Sequence, residues 1–126
     1  MKSDKTKTLV IGASEKPDRY SNKLVRLLQQ MDIPHLALGY KEGKIGSTSI
    51  QTHLTQDEQA SIDTISLYLN PKRQEDYYSL ILQINPDRII YNPGTENSIL
   101  MDLAKNHNIK NEIACSLVLL RTGQWK

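Results

Sequence analysis

The feature that most constrains the fold is an alternation of short apolar runs with segments of helical periodicity. The apolar runs lie at residues 8–11, 35–38, 62–69, 88–91 and 109–115. Leucine and isoleucine recur at the spacing of one helix face in residues 21–31, 71–84 and 96–107. Runs this short and apolar indicate strands buried on both faces. Strands that alternate with helices imply right-handed βαβ units, so we predict an α/β fold with a doubly wound parallel sheet and helices on both faces.

Three segments remain outside this pattern. Residues 39–49 contain three glycines and are predicted to form a loop, whereas residues 50–60 are polar and fit neither period. Residues 117–120 fit a strand or a short helix equally well. No repeat or linker divides the chain, so we expect residues 1–126 to form a single domain with residues 1–6 as a disordered tail.

Charge and composition exclude several classes of partner. Sixteen basic and fourteen acidic residues give a net charge of +2, which argues against nucleic-acid binding by bulk electrostatics. No apolar stretch approaches the roughly 20 residues of a membrane helix. The polar start of the chain does not look like a secretory signal, and the lone Cys115 cannot form an intramolecular disulfide. We expect a cytoplasmic protein with no membrane partner, and a homodimer or a protein partner remains open.

Four predicted loops should meet at one edge of the sheet. They follow the first four predicted strands at residues 12–21, 39–46, 70–73 and 92–97. Turns favour Gly, Pro and Asn whether or not a ligand binds. In a doubly wound sheet, however, ligands bind at the carboxyl ends of the strands, near the point where the strand order reverses. Four such loops on one edge, with several cations among them, therefore favour a ligand site.

The first loop has the features of a phosphate site. Gly12 allows a sharp turn and a close approach to the backbone, and the following helix offers free N–H groups and a positive dipole end. Ser14 and Ser21 either donate hydroxyl groups to the ligand or one of them caps the helix. The loop lacks the second and third glycines of the GxGxxG motif, so it does not by itself identify a dinucleotide site.

The second and third loops contribute cations. NAD-binding domains usually place an Asp or Glu after the second strand to hold the ribose, whereas this chain has Lys41 there. A lysine suits the phosphorylated ribose of NADP or coenzyme A, unless it is simply solvated. In the third loop, Asn70 and Pro71 are typical of the first residues of a helix. Lys72 and Arg73 oppose the dipole of that helix, so they are either solvated or neutralised by a bound anion.

The fourth loop is predicted to lead into the last long helix. Thr95 is the expected N-cap of the helix over residues 96–107, and Gly94 either adopts a positive φ or allows close approach of a ligand. A turn and a cap with no ligand role would also account for this loop.

Together these segments resemble the CoA-binding domain family, which includes the Rossmann-like domain of succinyl-CoA synthetase alpha subunits and stand-alone bacterial proteins of this size. The resemblance runs from about Thr8 to about Trp125 and is closest to the stand-alone form. It rests on the order and spacing of residues 10–14, 19–21, 39–46, 67–71, 92–97 and 114–115.

The resemblance implies a Rossmann-like, five-stranded parallel sheet of order 3-2-1-4-5 with coenzyme A across its carboxyl edge. It implies phosphate contacts from the first loop and an adenosine end near Lys41, with the third and fourth loops lining the remaining groove. The candidate cofactor-binding residues are Gly12, Ala13, Ser14, Arg19, Tyr20, Ser21, Gly39, Lys41, Asn70, Pro71, Lys72, Arg73, Pro93, Gly94 and Thr95.

The sequence offers no catalytic constellation. The three histidines are scattered without the spacing of a metal motif, and Glu96 is accounted for by the helix dipole. Cys115 is either a small core residue or a partner for a mixed disulfide with the CoA thiol. Without the synthetase's second domain, which carries a phosphorylated histidine, ligase activity is not expected. We expect binding of coenzyme A or an acyl-CoA without catalysis. The alternatives are an NADP-binding redox sensor or oxidoreductase subunit, and an interaction domain without a ligand.

Overall fold

The computed structural model describes residues 5–125 and shows a seven-stranded sheet between two layers of helices. In chain order the elements are β1 (Lys7–Ile11), α1 (Tyr20–Gln30), β2 (His35–Leu38), β3 (Gly43–Ile45), β4 (Thr48–Gln51), α2 (Gln56–Ala60), β5 (Ile62–Leu67), α3 (Pro71–Gln74), a 3-10 turn (Glu75–Tyr77), α4 (Tyr78–Ile84), β6 (Arg88–Tyr91), α5 (Ser98–Asn106), β7 (Lys110–Ile113) and α6 (Ser116–Arg121).

The sheet has the order β3-β4-β2-β1-β5-β6-β7. Neighbouring strands are parallel except for β3 and β4, which form an antiparallel hairpin at one edge. From β1 the chain winds outward through β2 to this hairpin, and it then returns to β5 on the other side of β1. The strand order therefore reverses between β1 and β5, where doubly wound folds place their ligands.

Two hydrophobic clusters cover the two faces of the sheet. One packs α4 and α5 against β1, β5 and β6, with Leu9, Ile81 and Leu100 fully buried. The other packs α1 and α6 against the opposite face, with Val10 and Leu24 fully buried. Successive residues of β1 belong to opposite clusters because side chains alternate along a strand. This two-sided burial confirms the predicted helices on both faces.

The predicted α/β class is confirmed, but the predicted sheet of five parallel strands is wrong in detail. The position beside β2 belongs to β4, whereas residues 62–69, predicted as the third strand, contain β5 and pair with β1. The missed strands β3 and β4 have only three and four residues. Only Ile45 and Ile50 of this hairpin are buried, so no apolar run or alternation marks it in the sequence.

The helices also differ from the predicted segments at their ends. The predicted helix over 71–84 is divided into α3, the 3-10 turn and α4. The ambiguous residues 117–120 belong to α6, and the unassigned residues 50–60 contain the end of β4 and all of α2. None of the described helices has the length and apolar character needed to cross a bilayer.

The described chain begins with residues that contact the domain. The Thr6 amide donates to the Ser61 carbonyl at 3.0 Å, and the Lys5 ammonium donates to the Asn85 carbonyl at 2.7 Å. The rest of the tail expected over residues 1–6 lies outside the described residues.

Candidate functional site

The loop after β1 is held in a conformation that requires glycine. Gly12 has a φ of +95°, and a Cβ at this position would lie 2.9 Å from the Tyr68 carbonyl oxygen. The amides of Gly12 and Ala13 both donate to the Leu38 carbonyl, at 2.9 and 3.0 Å. The loop is therefore fixed between the ends of β2 and β5, and its backbone lies close to both.

The first turn of α1 has no side-chain cap. Arg19 occupies the N-cap position without a capping hydrogen bond, and no acidic residue lies in the first turn. Neither serine caps the helix: Ser21 is buried within the first turn, and the Ser14 hydroxyl accepts a hydrogen bond from the Lys16 amide at 3.2 Å. A helix of this length with an uncapped first turn attracts an anion.

A cavity of about 670 Å³ opens at the carboxyl ends of β1, β2 and β5. Basic side chains outnumber acidic ones in its lining, and apolar residues form part of its wall. The lining residues are Gly12, Ala13, Ser14, Glu15, Lys16, Arg19, Tyr40, Lys41, Glu42, Ile50, Tyr68, Leu69, Asn70 and Arg73.

A smaller cavity of about 260 Å³ adjoins the first on the side of β6. The two share six lining residues, so they form one groove across the carboxyl edge of the sheet, which we call the edge groove. The residues that line the smaller cavity are Gly12, Ser14, Arg19, Tyr20, Ser21, Tyr68, Leu69, Asn70, Pro93, Gly94 and Thr95.

Three of the candidate residues from the sequence do not line the edge groove, and the others do. Gly39 is buried beneath it, where a Cβ would lie 2.8 Å from the Ala13 carbonyl oxygen. Pro71 occupies the first position of α3 after the N-cap Asn70, as predicted. Lys72 is exposed and lies 3.5 Å from the Glu75 carboxylate, so a neighbouring side chain already partly balances its charge.

Sequence reasoning missed seven of the residues that line the edge groove. Four of them lie within the loops at residues 12–21 and 39–46, so their positions could have identified them. Tyr68 and Leu69 were instead assigned to the predicted strand over residues 62–69. Ile50 had no signal, since its strand was not recognised. The missed residues are Glu15, Lys16, Tyr40, Glu42, Ile50, Tyr68 and Leu69.

Buried amide side chains hold the loops of the groove in place. The Asn92 amide donates to the Ser66 hydroxyl and to the Leu67 carbonyl, and its oxygen accepts from the Ser116 amide, each at 2.8 Å. The Gln74 amide donates to the carbonyls of Leu69 and Thr95, both at 2.8 Å. Because these bonds join the ends of β5 and β6 with the start of α6, the groove has a preorganised wall.

The loop after β6 has a different cap from the predicted one. Asn97, rather than Thr95, caps α5, because its side-chain oxygen accepts from the amides of Ile99 and Leu100. The Thr95 hydroxyl instead donates to the Asn92 carbonyl at 2.7 Å, which tightens the turn. Thr95 is the first hydroxyl residue after Gly94, but the asparagine two residues later is the one that reaches the free amides of the helix.

Gly94 gives the smaller cavity an open wall. Its φ of +90° confirms one of the two alternatives predicted for it, a positive φ. Its amide donates to the Glu96 carboxylate at 3.0 Å. A Cβ at this position would meet no atom within 4 Å and would therefore project into open space. The contact with Gly94 also gives Glu96 a structural role in the turn.

Tyr68 lies where the two cavities meet. Its hydroxyl is buried and has no hydrogen-bond partner among the described residues. Burial raises the pKa of this phenol above its ordinary value, so the group stays neutral and cannot act as a base. An unpartnered buried hydroxyl is costly to the stability of the fold.

The histidines and the cysteine do not line the edge groove. The His35 ring bonds the Ile33 carbonyl and the Thr48 hydroxyl, at 2.8 and 2.7 Å. Cys115 packs beside the cluster that covers the α1 and α6 face. Within residues 5–125, no group of three or more His, Cys, Asp or Glu side chains is arranged to hold a metal ion.

Comparison with known families and structures gives one family match and a consistent fold. The model of a family described as a CoA binding domain matches residues 6–121. A crystal structure of an uncharacterized protein is 32% identical, with a TM-score of 0.87, over 95% of this chain and 98% of that chain. No curated protein matches this chain.

More distant structures share the fold alone. A hypothetical protein from Pyrococcus horikoshii OT3 is 16% identical with a TM-score of 0.77, over 95% of this chain and 85% of that chain. A protein from Thermus thermophilus is 15% identical with a TM-score of 0.79, over 98% of this chain and 92% of that chain.

Proposed function

Because this chain belongs to the family of CoA-binding domains, we propose that it binds coenzyme A, free or acylated, in the edge groove. The observation that carries this proposal is the convergence of the four loops on one groove at the point where the strand order reverses. The groove also fits the ligand in chemistry, because cations and free amides suit phosphates and glycines leave room for a thin chain.

The diphosphate of the ligand would lie over the start of α1. Here the uncapped first turn offers N–H groups, and Lys16 and Arg19 add positive charge from the lining of the larger cavity. The backbone of Gly12 and Ala13 permits close approach because neither residue has a long side chain. This arrangement supports phosphate binding without a GxGxxG motif.

The phosphorylated ribose would lie near the end of β2. Lys41 lines the larger cavity there, and a lysine is a suitable partner for a phosphate on the ribose. Glu42 lines the same cavity and would disfavour a phosphate placed beside it. Because Lys41 is the cation of this loop that lines the cavity, we assign the 3′-phosphate to Lys41, on the side away from Glu42, and expect a preference for coenzyme A over dephospho-CoA.

The pantetheine arm would run through the smaller cavity. Pro93 and Gly94 form an open wall there, Thr95 of the same loop adds a polar group, and Ser21 adds another from the first turn of α1. The proposed role is binding, with no reaction assigned to the groove. An acyl group would extend from the same cavity.

Differential scanning fluorimetry with a panel of ligands tests the proposal. We expect coenzyme A to raise the melting temperature most, dephospho-CoA less and NAD little, because dephospho-CoA lacks the 3′-phosphate and NAD lacks both this phosphate and the pantetheine arm. An equal rise in melting temperature with coenzyme A and dephospho-CoA would contradict the assignment of the 3′-phosphate to Lys41. A response to NADP alone would favour a redox function, and no response to any ligand would favour an interaction domain.

Arg19 provides the matching test by mutation. Arg19→Ala should weaken CoA binding by about tenfold, because a charge-assisted contact to phosphate is lost. The fold should be nearly unaffected, since the Arg19 side chain is exposed and makes no cap. Full affinity in calorimetry would show that Arg19 does not contact the ligand. Lys105→Ala, on the last turn of α5, is a matched control for the loss of one surface cation.

A further inference from the structure

In the lining of the larger cavity, a guanidinium lies over an aromatic ring. The Arg73 guanidinium carbon lies 5.3 Å from the centre of the Tyr40 ring. Tyr40 follows β2 and Arg73 lies in α3 after β5, so the pair joins the loops on either side of β1. Both residues line the cavity, and Tyr40 keeps 55% of its surface exposed.

This pair differs from a second exposed cation–π contact among the described residues. Lys23 lies 5.2 Å from the Tyr20 ring, but these residues are neighbours on one helix face, where such contacts form locally. Tyr40 and Arg73 come from separate loops, so their contact depends on the tertiary fold. Tyr40 also leaves more than half of its surface exposed beside the cavity, where a ligand can reach its ring.

We propose that Tyr40 and Arg73 form the stacking surface for the purine base of the bound nucleotide, which makes Tyr40 a specificity-determining residue. Aromatic rings and guanidinium planes both stack on bases, and the pair presents one of each. The assignment rests on the proposed function, because it places the adenosine end of the ligand in the larger cavity. It gives Arg73 a role as a planar stacking partner rather than a phosphate contact.

The position of the pair agrees with the rest of the groove. Lys41 follows Tyr40 directly and lines the same cavity, so a ribose phosphate on Lys41 would leave the base close to the Tyr40 ring. Ile50 adds an apolar surface to the same cavity, and the Glu15 carboxylate accepts from the Lys44 amide at 2.9 Å, which fixes the neighbouring hairpin. The larger cavity thus combines a stacking surface with a cation for the sugar phosphate.

Two fragments of coenzyme A separate the contribution of the base from that of the remaining ligand. Adenosine 3′,5′-bisphosphate carries the base, and 4′-phosphopantetheine does not. Tyr40→Leu should weaken calorimetric binding of coenzyme A and of the bisphosphate by about tenfold, because the stack is lost. It should leave 4′-phosphopantetheine binding unchanged. Tyr40→Phe keeps the ring and should bind all three ligands as the wild type does.

Salt dependence adds a second readout. The loss caused by Tyr40→Leu should be similar at low and high ionic strength, because stacking is not a charge–charge interaction. The loss caused by Arg19→Ala should shrink as salt is added. Far-ultraviolet circular dichroism and the melting temperature check that each variant folds, and Tyr40→Ser replaces Tyr40→Leu if the latter aggregates.

The outcomes distinguish this inference from the proposed function. If coenzyme A binds and Tyr40→Leu weakens both fragments equally, or neither, the stacking assignment is wrong and CoA binding stands. If the wild-type protein binds neither coenzyme A nor the bisphosphate, both the stacking assignment and the proposed function are wrong.

Discussion

At the scale of single residues, two glycines with positive φ differ in what surrounds them. Gly12 and Gly94 have φ values of +95° and +90°, which side chains rarely adopt. A Cβ on Gly12 would collide with the backbone of Tyr68 at the end of β5, whereas a Cβ on Gly94 would project into open space. Gly12 is therefore required by packing, whereas packing leaves space beside Gly94.

Alanine substitutions should separate these two roles. Gly12→Ala should lower the free energy of unfolding by about 3 kcal/mol, from backbone strain and the collision together. Gly94→Ala should cost about 1 kcal/mol from strain alone, yet weaken CoA binding because its methyl group narrows the smaller cavity. Urea denaturation and calorimetry measure the two effects. Equal stability losses for the two variants would contradict the assignment.

At the scale of elements, the start of α1 lacks a stabilising side-chain cap. An Asp at the N-cap would accept a backbone hydrogen bond and interact favourably with the dipole, whereas Arg19 does neither. Arg19→Asp should therefore raise the free energy of unfolding by about 1 kcal/mol. The same substitution should weaken CoA binding by more than tenfold, since it replaces attraction for phosphate by repulsion.

One result for Arg19→Asp would contradict this prediction. A variant that is stabilised but binds coenzyme A with wild-type affinity would show that no phosphate lies near the start of α1. The melting temperature and calorimetric affinity of one protein preparation give both readings.

Helix α2 provides a pH-dependent element away from the groove. The Thr55 hydroxyl accepts from the Glu58 amide at 3.1 Å, and the Glu58 carboxylate accepts from the Thr55 amide at 2.9 Å. The bond from the Thr55 amide, with smaller help from Gln51, holds the pKa of Glu58 below its ordinary value of 4.5. Glu58 is only partly buried, so solvent screens its interactions and its contribution to stability is small.

The direction of the pH effect follows from the lowered pKa. The carboxylate stabilises the fold fully above pH 4.5, and this contribution disappears as the pH falls through the lower pKa of the folded state. Glu58→Gln should therefore melt slightly below the wild type at neutral pH and approach it in acid. A constant difference between the two melting temperatures from pH 7 to about pH 3 would exclude this role.

At the scale of the whole molecule, the central strands of the sheet were predictable from the sequence, and the hairpin at the sheet edge was not. β1, β5 and β6 are buried by helices on both faces, so their apolar runs are visible in the sequence. β3 and β4 form a short edge hairpin with mostly polar residues, and tertiary pairing rather than local pattern makes them strands. Because β3 and β4 were not recognised, the predicted strand order was also wrong: β4 occupies the position beside β2 that had been given to residues 62–69.

The candidate site was predictable where it depends on loops that follow recognised strands. Gly12, Arg19 and Gly94 line the edge groove for that reason. Tyr40 could not be given a role from the sequence, because its contact with Arg73 comes from another loop. The cap at Asn97 was missed because sequence alone does not show which polar residue reaches the free amides.

The crystal structure of a complex with coenzyme A tests the central claim most directly. We expect one ligand molecule across the edge groove, with its phosphates over the start of α1, its base against Tyr40 and its pantetheine arm beside Gly94. Coenzyme A bound at the amino ends of the strands, or on the outer surface of the helices, would contradict the account.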